Sequence, residues 1–148
     1  MTYTIADELA ASQQLVIAMM RMAAEDSSAR VGAWTLRDIA GHLAASEREC
    51  FEPRIRSIAA GERPKFDYYT NDERDFAGTQ LNSAVEEWIA TRSRLLDYVR
   101  TLTESERARV GFHDRYGEIS VDRYLQIALD HDRDHLRGLE RVAGELAR

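Results

Sequence analysis

The chain has one cysteine, Cys50, so no disulfide can form within it. It has two prolines and eight glycines in 148 residues, which leaves long uninterrupted stretches. Lysine is nearly absent: Lys65 stands alone beside arginines scattered among the acids, and no dense basic block occurs. With a net charge of −6, that distribution excludes a nucleic-acid binder driven by phosphate contacts. The longest apolar run is about "LVIAMM", far short of the roughly 20 residues a membrane span needs. "MTYTIADELAASQQ" has neither the basic start nor the apolar stretch of a secretory leader. Together with the lone thiol, these absences predict a soluble, cytoplasmic protein with no nucleic-acid or membrane partner. The length fits one domain over 1–148, large enough to bury a core unaided.

Helix formers dominate what is present, and strand-like alternation is nearly absent. The spacing predicts four long helices. The first runs roughly 4–25, capped by Thr4 with Asp7 three residues on, and carries Ile5, Leu9, Val16, Met19, Met20 and Ala23 as an apolar stripe. The second opens at Thr35, with Asp38 completing a capping box and Trp34 placed to staple against Ile39. Its inward face reads Leu36, Ile39, His42, Leu43, Cys50, Phe51, Ile55 and Ile58. Pro53 removes the bond to the Glu49 carbonyl, which predicts a kink or break near 49–53. An aromatic loop, "AGERPKFDYYTND", follows. The third helix is expected from Thr70 or Asn71, with Phe76, Leu81, Val85, Trp88, Arg92, Leu95, Val99 and Leu102 as its seam. Thr103 and Glu106 suggest a short capped turn, "RVGFHDRYGEIS" reads as a connection, and Ser120 caps a fourth helix to about 146. The fold class is all-α, a four-helix bundle, either antiparallel throughout or with a crossover.

Against this pattern the histidines stand out. His131 and His135 are four apart, so they share one helix face and can chelate one divalent ion. That face also carries Tyr124, Ala128 and Val142, which turns both imidazoles toward the core. His42 sits likewise between Ile39 and Leu43. A lone histidine there would be an ordinary core residue with a polar partner. Three inward histidines on two helices match the way bundle cores build metal sites. Three neutral protein ligands leave a fourth position open, the catalytic rather than the structural pattern.

The stretches "WTLRDIAGHLAASERE" and "HDRYGEISVDRYLQIALDHDRDHLRGL" resemble the DinB/YfiT-like superfamily. Trp34, Thr35, His42, Leu43 and Glu47 match its first motif. His113, Gly117, Ser120, His131, Asp132, His135 and Leu136 match its second, and Asp114 stands where the family often has proline. The resemblance implies a four-helix bundle in which His42, His131 and His135 bind a divalent metal. It also implies a homodimer, and activities such as thiol-dependent S-transfer or isomerisation. Imidazole ligands suit zinc, nickel or iron alike.

The expected function is a metal-dependent enzyme acting on a small-molecule substrate, as an S-transferase using a low-molecular-weight thiol or as a hydrolase. The alternative is a non-catalytic module in which the ion only ties helices together. Glu47 is the candidate catalytic residue, as a base or as a hydrogen-bond partner of a ligand histidine, set against a plain salt bridge with Arg48 or Arg54. Asp132 and Asp134 either orient imidazoles or are simply solvated. His113 is expected to cap a helix end, with the bundle mouth as its other possible reach. Cys50 reads as a small buried hydrophobe.

Overall fold

In chain order the elements are α1 (Ile5–Ala23), β1 (Arg30–Val31), β2 (Trp34–Thr35), α2 (Leu36–Ser46), a π-helical stretch (Glu47–Phe51) and α3 (Glu52–Ala59). There follow β3 (Lys65–Phe66), α4 (Leu81–Thr101), α5 (Glu104–Arg107), β4 (Val110–His113), β5 (Gly117–Ser120) and α6 (Val121–Leu146). The structure, a computed structural model, describes residues 4–26 and 28–146. The caps read from the sequence are in place. Thr4, Thr35 and Thr103 each form a reciprocal capping box, with Asp7, Asp38 and Glu106 respectively. Ser120 Oγ accepts the Arg123 N–H at 3.0 Å at the start of α6.

Pro53 has the expected local effect. Its missing N–H cannot continue the α-helical ladder, and the preceding turn widens: the Glu52 N–H bonds to the Glu47 carbonyl, five residues back. The rod from α2 to α3 therefore continues through a π turn instead of breaking.

The third helix differs from expectation. It begins at Leu81, not at Thr70 or Asn71, and Phe76 precedes it. The reason lies in the bundle's direction. α2–α3 and α4 run parallel, since Arg48 meets Glu87 and Arg56 lies over Tyr98. α1 runs antiparallel to α4, Leu9 meeting Arg92 and Gln13 meeting Trp88. α6 runs antiparallel to α2–α3, as His42 meets His131 and Phe51 meets Tyr124. Segment 60–80 must therefore travel back along the bundle before α4 can start. A Cβ on Gly41 would lie 2.6 Å from the Phe76 ring, so this glycine lets the crossover press onto α2.

Strands were not expected, yet short ones close one end of the bundle. β4 pairs antiparallel with β5 and parallel with β3. Glycine again permits the approach: a Cβ on Gly111 would meet the Pro64 carbonyl oxygen at 3.0 Å. The fold remains a four-helix bundle with two small sheets attached, β1–β2 and β3–β4–β5.

The core is divided. One apolar cluster gathers Leu9, Ile55, Leu95 and Leu125, and another gathers Met20, Leu43, Val85 and Leu139. Between them lies a charged layer. Arg92 is 2% exposed, and Glu47 and Asp132 are each 1% exposed. The guanidinium's Nε and Nη2 reach Glu47 at 3.1 and 2.7 Å, and its Nη1 and Nη2 reach Asp132 at 2.7 and 3.1 Å. Nη1 also donates to the Leu9 carbonyl at 3.0 Å. Trp88 Nε1 donates to Glu47, and Ser12 Oγ donates to Asp132. All five guanidinium donors are thereby used. Burial alone would lower the Arg92 pKa, but the two carboxylates outweigh it and raise it.

Removing the cation strands two buried carboxylates. Arg92→Met is expected to cost about 3–5 kcal/mol in urea denaturation. The triple variant Glu47→Leu/Arg92→Met/Asp132→Leu should lose less, because no charge is left unpaired. A single variant as stable as the wild type would contradict this arrangement.

Candidate metal centre

α2 and α6 bring the three predicted histidines together. His42 Nε2 lies 3.0 Å from His131 Nε2, and His131 Nε2 lies 3.3 Å from His135 Nε2. All three ligand atoms fall within 4.8 Å of one another. Nitrogens bound to one tetrahedral ion at about 2.0–2.1 Å sit about 3.3 Å apart. The donor set thus fits a single divalent ion.

The neighbours set the imidazoles' protonation. Asn71 Oδ1 lies 2.5 Å from His42 Nδ1. The amide's orientation follows from its nitrogen, which donates to the Tyr69 hydroxyl at 2.9 Å and to Ser46 Oγ at 3.2 Å. The oxygen therefore faces His42, whose Nδ1 must carry the proton. Its Nε2 is left as a lone pair aimed at the other two rings. Burial lowers the pKa of His42, against the opposing influence of Asn71 and Asp72. Burial, then the neighbouring His135, His42 and Arg92, hold His131 well below its ordinary value. Burial and His42 lower His135 to about 4. All three are neutral near pH 7, the form that binds metal. The Trp34 ring meets His42 edge-on at 4.8 Å and stacks beside His135 at 6.4 Å.

The triad opens on a cavity of about 350 Å³. Its further walls include Phe51, Tyr68, Tyr116, Tyr124 and Ile127, with Asp72 and Asp134 as its charged groups. Cys50 is buried on this wall, its Sγ 3.4 Å from the Tyr124 hydroxyl. Burial raises the thiol's pKa, which suits the unreactive role read from the sequence. His113 lines the same cavity instead of capping a helix.

Glu47 is elsewhere. Five positions along an α-helix turn the side chain by about 140°, off the face that carries His42. Both Glu47 oxygens are held by Arg92, and one of them also by Trp88. Neither Arg48 nor Arg54 is its partner. Asp132 likewise turns to Arg92 and Ser12 rather than to an imidazole. The residue that does orient a histidine, Asn71, was missed because only the crossover brings it beside α2. Its one signal in the sequence was a polar residue closing an aromatic loop.

A family match and a likeness of fold agree with this picture. Residues 27–139 match the DinB superfamily, and the chain belongs to that family. YfiT from Bacillus subtilis, described as a probable metal-dependent hydrolase with an unusual four-helix bundle topology, superposes with a TM-score of 0.78. That match covers 96% of this chain and 87% of YfiT at 20% identity, a likeness of fold. A peptide deformylase of Wolinella succinogenes is 39% identical over 46 residues, which cover 29% of this chain and 27% of that protein. The chain thus spans about a quarter of that relative's length.

Two outcomes follow. Asn71→Leu removes the acceptor that fixes His42, and zinc affinity should fall about 10–100-fold by competition titration. Unchanged affinity would contradict the tautomer assignment. The histidines also govern stability against pH. Unfolded histidine titrates near about 6.5, and the folded values lie lower. The unfolded chain therefore binds more protons between roughly pH 6.5 and 4. Stability of the metal-free protein should be full above that window and fall as pH drops through it, in thermal melts. His135→Gln should flatten the slope.

Proposed function

We propose that the chain is a metal-dependent hydrolase of small, largely uncharged substrates. The observation that carries this reading is the convergence of three neutral Nε2 atoms at one wall of an aromatic-lined cavity. His42, His131 and His135 would hold the ion. A divalent ion with three imidazole ligands supplies Lewis acidity, acidifying water or polarising a carbonyl at its open position. The chain's own residues do the rest. Asn71 keeps the His42 proton on Nδ1, Trp34 packs against two of the imidazoles, and Phe51 and Ile127 present an apolar surface to the substrate.

The same open position suits a thiol-dependent S-transferase. The cavity wall favours hydrolysis, because its charged side chains are Asp72 and Asp134, with no lysine or arginine among the described lining residues. A thiol cosubstrate bearing carboxylates would meet like charge beside the triad, where Asp72 and Asp134 lie. The non-catalytic reading, an ion that merely ties α2 to α6, is disfavoured by the number of protein ligands, since closed structural sites use four.

Metal analysis and turnover test these readings together. The purified chain should take up one zinc, nickel or iron ion, and His131→Ala should lose it. The loaded protein should hydrolyse para-nitrophenyl acetate, and a chelator should abolish this. Absence of bound metal in the wild type sinks the proposal. Bound metal without turnover, accompanied by a large drop in melting temperature on chelation, favours the structural module. Turnover only when a thiol is added favours the transferase.

A further inference from the structure

His113 has no part in the triad. It ends β4, beside Phe66 of β3, and is 5% exposed. The rings of Phe51 and Tyr124 intervene between it and the triad: His131 to Phe51 is 5.7 Å between centroids, Phe51 to Tyr124 is 6.1 Å, and Tyr124 to His113 is 6.3 Å. It therefore sits at the cavity's other end, beyond coordinating reach.

Its ring is held in one state. The Arg115 backbone N–H donates to Nδ1 at 3.0 Å, which needs the Nδ1 lone pair and places the proton on Nε2. Asp114 Oδ1 lies 3.2 Å from the same nitrogen, a contact that would bind only a protonated ring. Burial lowers the pKa, with Arg54 and Arg115 adding to it and Asp114 and Asp67 opposing, so the ring stays neutral. Tyr116 at 4.6 Å and Tyr124 fix its plane.

Other polar groups on this wall are committed to protein partners. The Tyr124 hydroxyl accepts from Arg54 at 3.0 Å and contacts Cys50. The Tyr69 hydroxyl bonds to Glu49 and Asn71. No described residue accepts a hydrogen bond from His113 Nε2, and the ring lines the cavity. An N–H fixed in direction, open to the cavity and without a protein acceptor, is placed to donate to a ligand.

We infer that His113 is a substrate-anchoring donor: its Nε2–H binds an acceptor oxygen of the substrate at the end of the cavity opposite the histidine triad. This rests on the metal-dependent reading above and narrows it. The substrate is an uncharged molecule with an aromatic or aliphatic body, between Phe51, Tyr124 and Ile127, and a carbonyl, ester or amide oxygen away from the reacting bond. A neutral donor needs no charge on its acceptor, and Asp72 and Asp134, beside the triad, disfavour an anionic reacting group there.

Calorimetric binding to the zinc-loaded full chain tests this without turnover. Acetohydroxamic acid reports the metal position alone. Benzohydroxamic acids bearing a ketone on arms of increasing length are compared with alkyl counterparts of the same shape. In the wild type one arm length should bind roughly fivefold tighter as the ketone, the worth of one neutral hydrogen bond. His113→Phe, which keeps a ring but lacks the donor, should erase that preference. His113→Gln, whose amide N–H can reach the Nε2 position, should restore part of it. Acetohydroxamic acid should bind all three alike, which also shows that the variants are folded. Equal ketone and alkyl affinities at every length, or a ketone preference that survives His113→Phe, overturns the inference. Failure of acetohydroxamic acid to bind the wild type instead withdraws the metal reading, and this one with it.

Discussion

The structure depends on one guanidinium. Arg92 reaches Glu47 at the end of α2, Asp132 on α6 and the Leu9 carbonyl on α1, from its own place on α4. Every long helix is thereby tied at one level, between two apolar clusters that could each slide or rotate. Apolar packing tolerates such adjustments far better than a saturated set of charged hydrogen bonds does. The layer carries a net negative charge and gains little stability over a well-packed apolar one. What it gives is register. His131 and Asp132 are consecutive, so they leave α6 about 100° apart. His42 and Glu47 leave the other rod on correspondingly different sides. The two helices that offer imidazoles on one flank offer carboxylates toward the bundle axis, and Arg92 fixes the distance between the carboxylates. The separation of the imidazole nitrogens follows from it.

The second constraint is the crossover. Parallel α3 and α4 oblige segment 60–80 to run back along the bundle, and the flank it covers is the one with the histidines. That path places Asn71 against His42 and Tyr69 on Asn71. Outside the cavity, Arg74 grips Glu49 with both terminal nitrogens at 2.7 Å. Arg74 and the other partners of Glu49 hold its carboxyl down to about 2. A loop long enough to be a liability thus becomes a wall of the site.

These two constraints explain what could be read from the sequence. Caps, helix spans and the Pro53 disturbance are local, and each has a local cause: a threonine with an acid three residues on, a period near 3.6, a missing N–H. The histidine pair on α6 was local too, and His42 stood on an apolar face with no local reason to be polar. The chain direction was not local. It depends on how four apolar stripes pair, which periodicity leaves open. Hence the third helix was placed some ten residues early, and Asn71 was missed. The strands escaped because each is only two to four residues long, and the β3–β4 pairing also leans on a close approach at Gly111, invisible without the partner. Glu47 was expected near the chemistry for a sound reason, its fixed offset from His42, but that offset turns it toward Arg92. Arg92 lies on the predicted helix seam, where a cation signals buried partners, and those partners are Glu47 and Asp132.

The cavity's electrostatics unite both constraints. Its three imidazoles are uncharged because they are desolvated and crowd one another. At the far end His113 is uncharged because a backbone N–H occupies its lone pair and burial disfavours a second proton. Cys50 and Tyr124 also keep their protons, burial raising both. The negative charge lies at Asp72 and Asp134 and, behind the histidines, in the Arg92 layer. Such an arrangement suits the metal and the uncharged substrate proposed above, with the aspartates beside the triad disfavouring an anion there. Orientation then falls to shape and to directional donors rather than to long-range attraction. A donor fixed in one tautomer, in the role inferred for His113, would distinguish substrates by where their acceptor oxygen lies, because a misplaced oxygen forgoes that hydrogen bond.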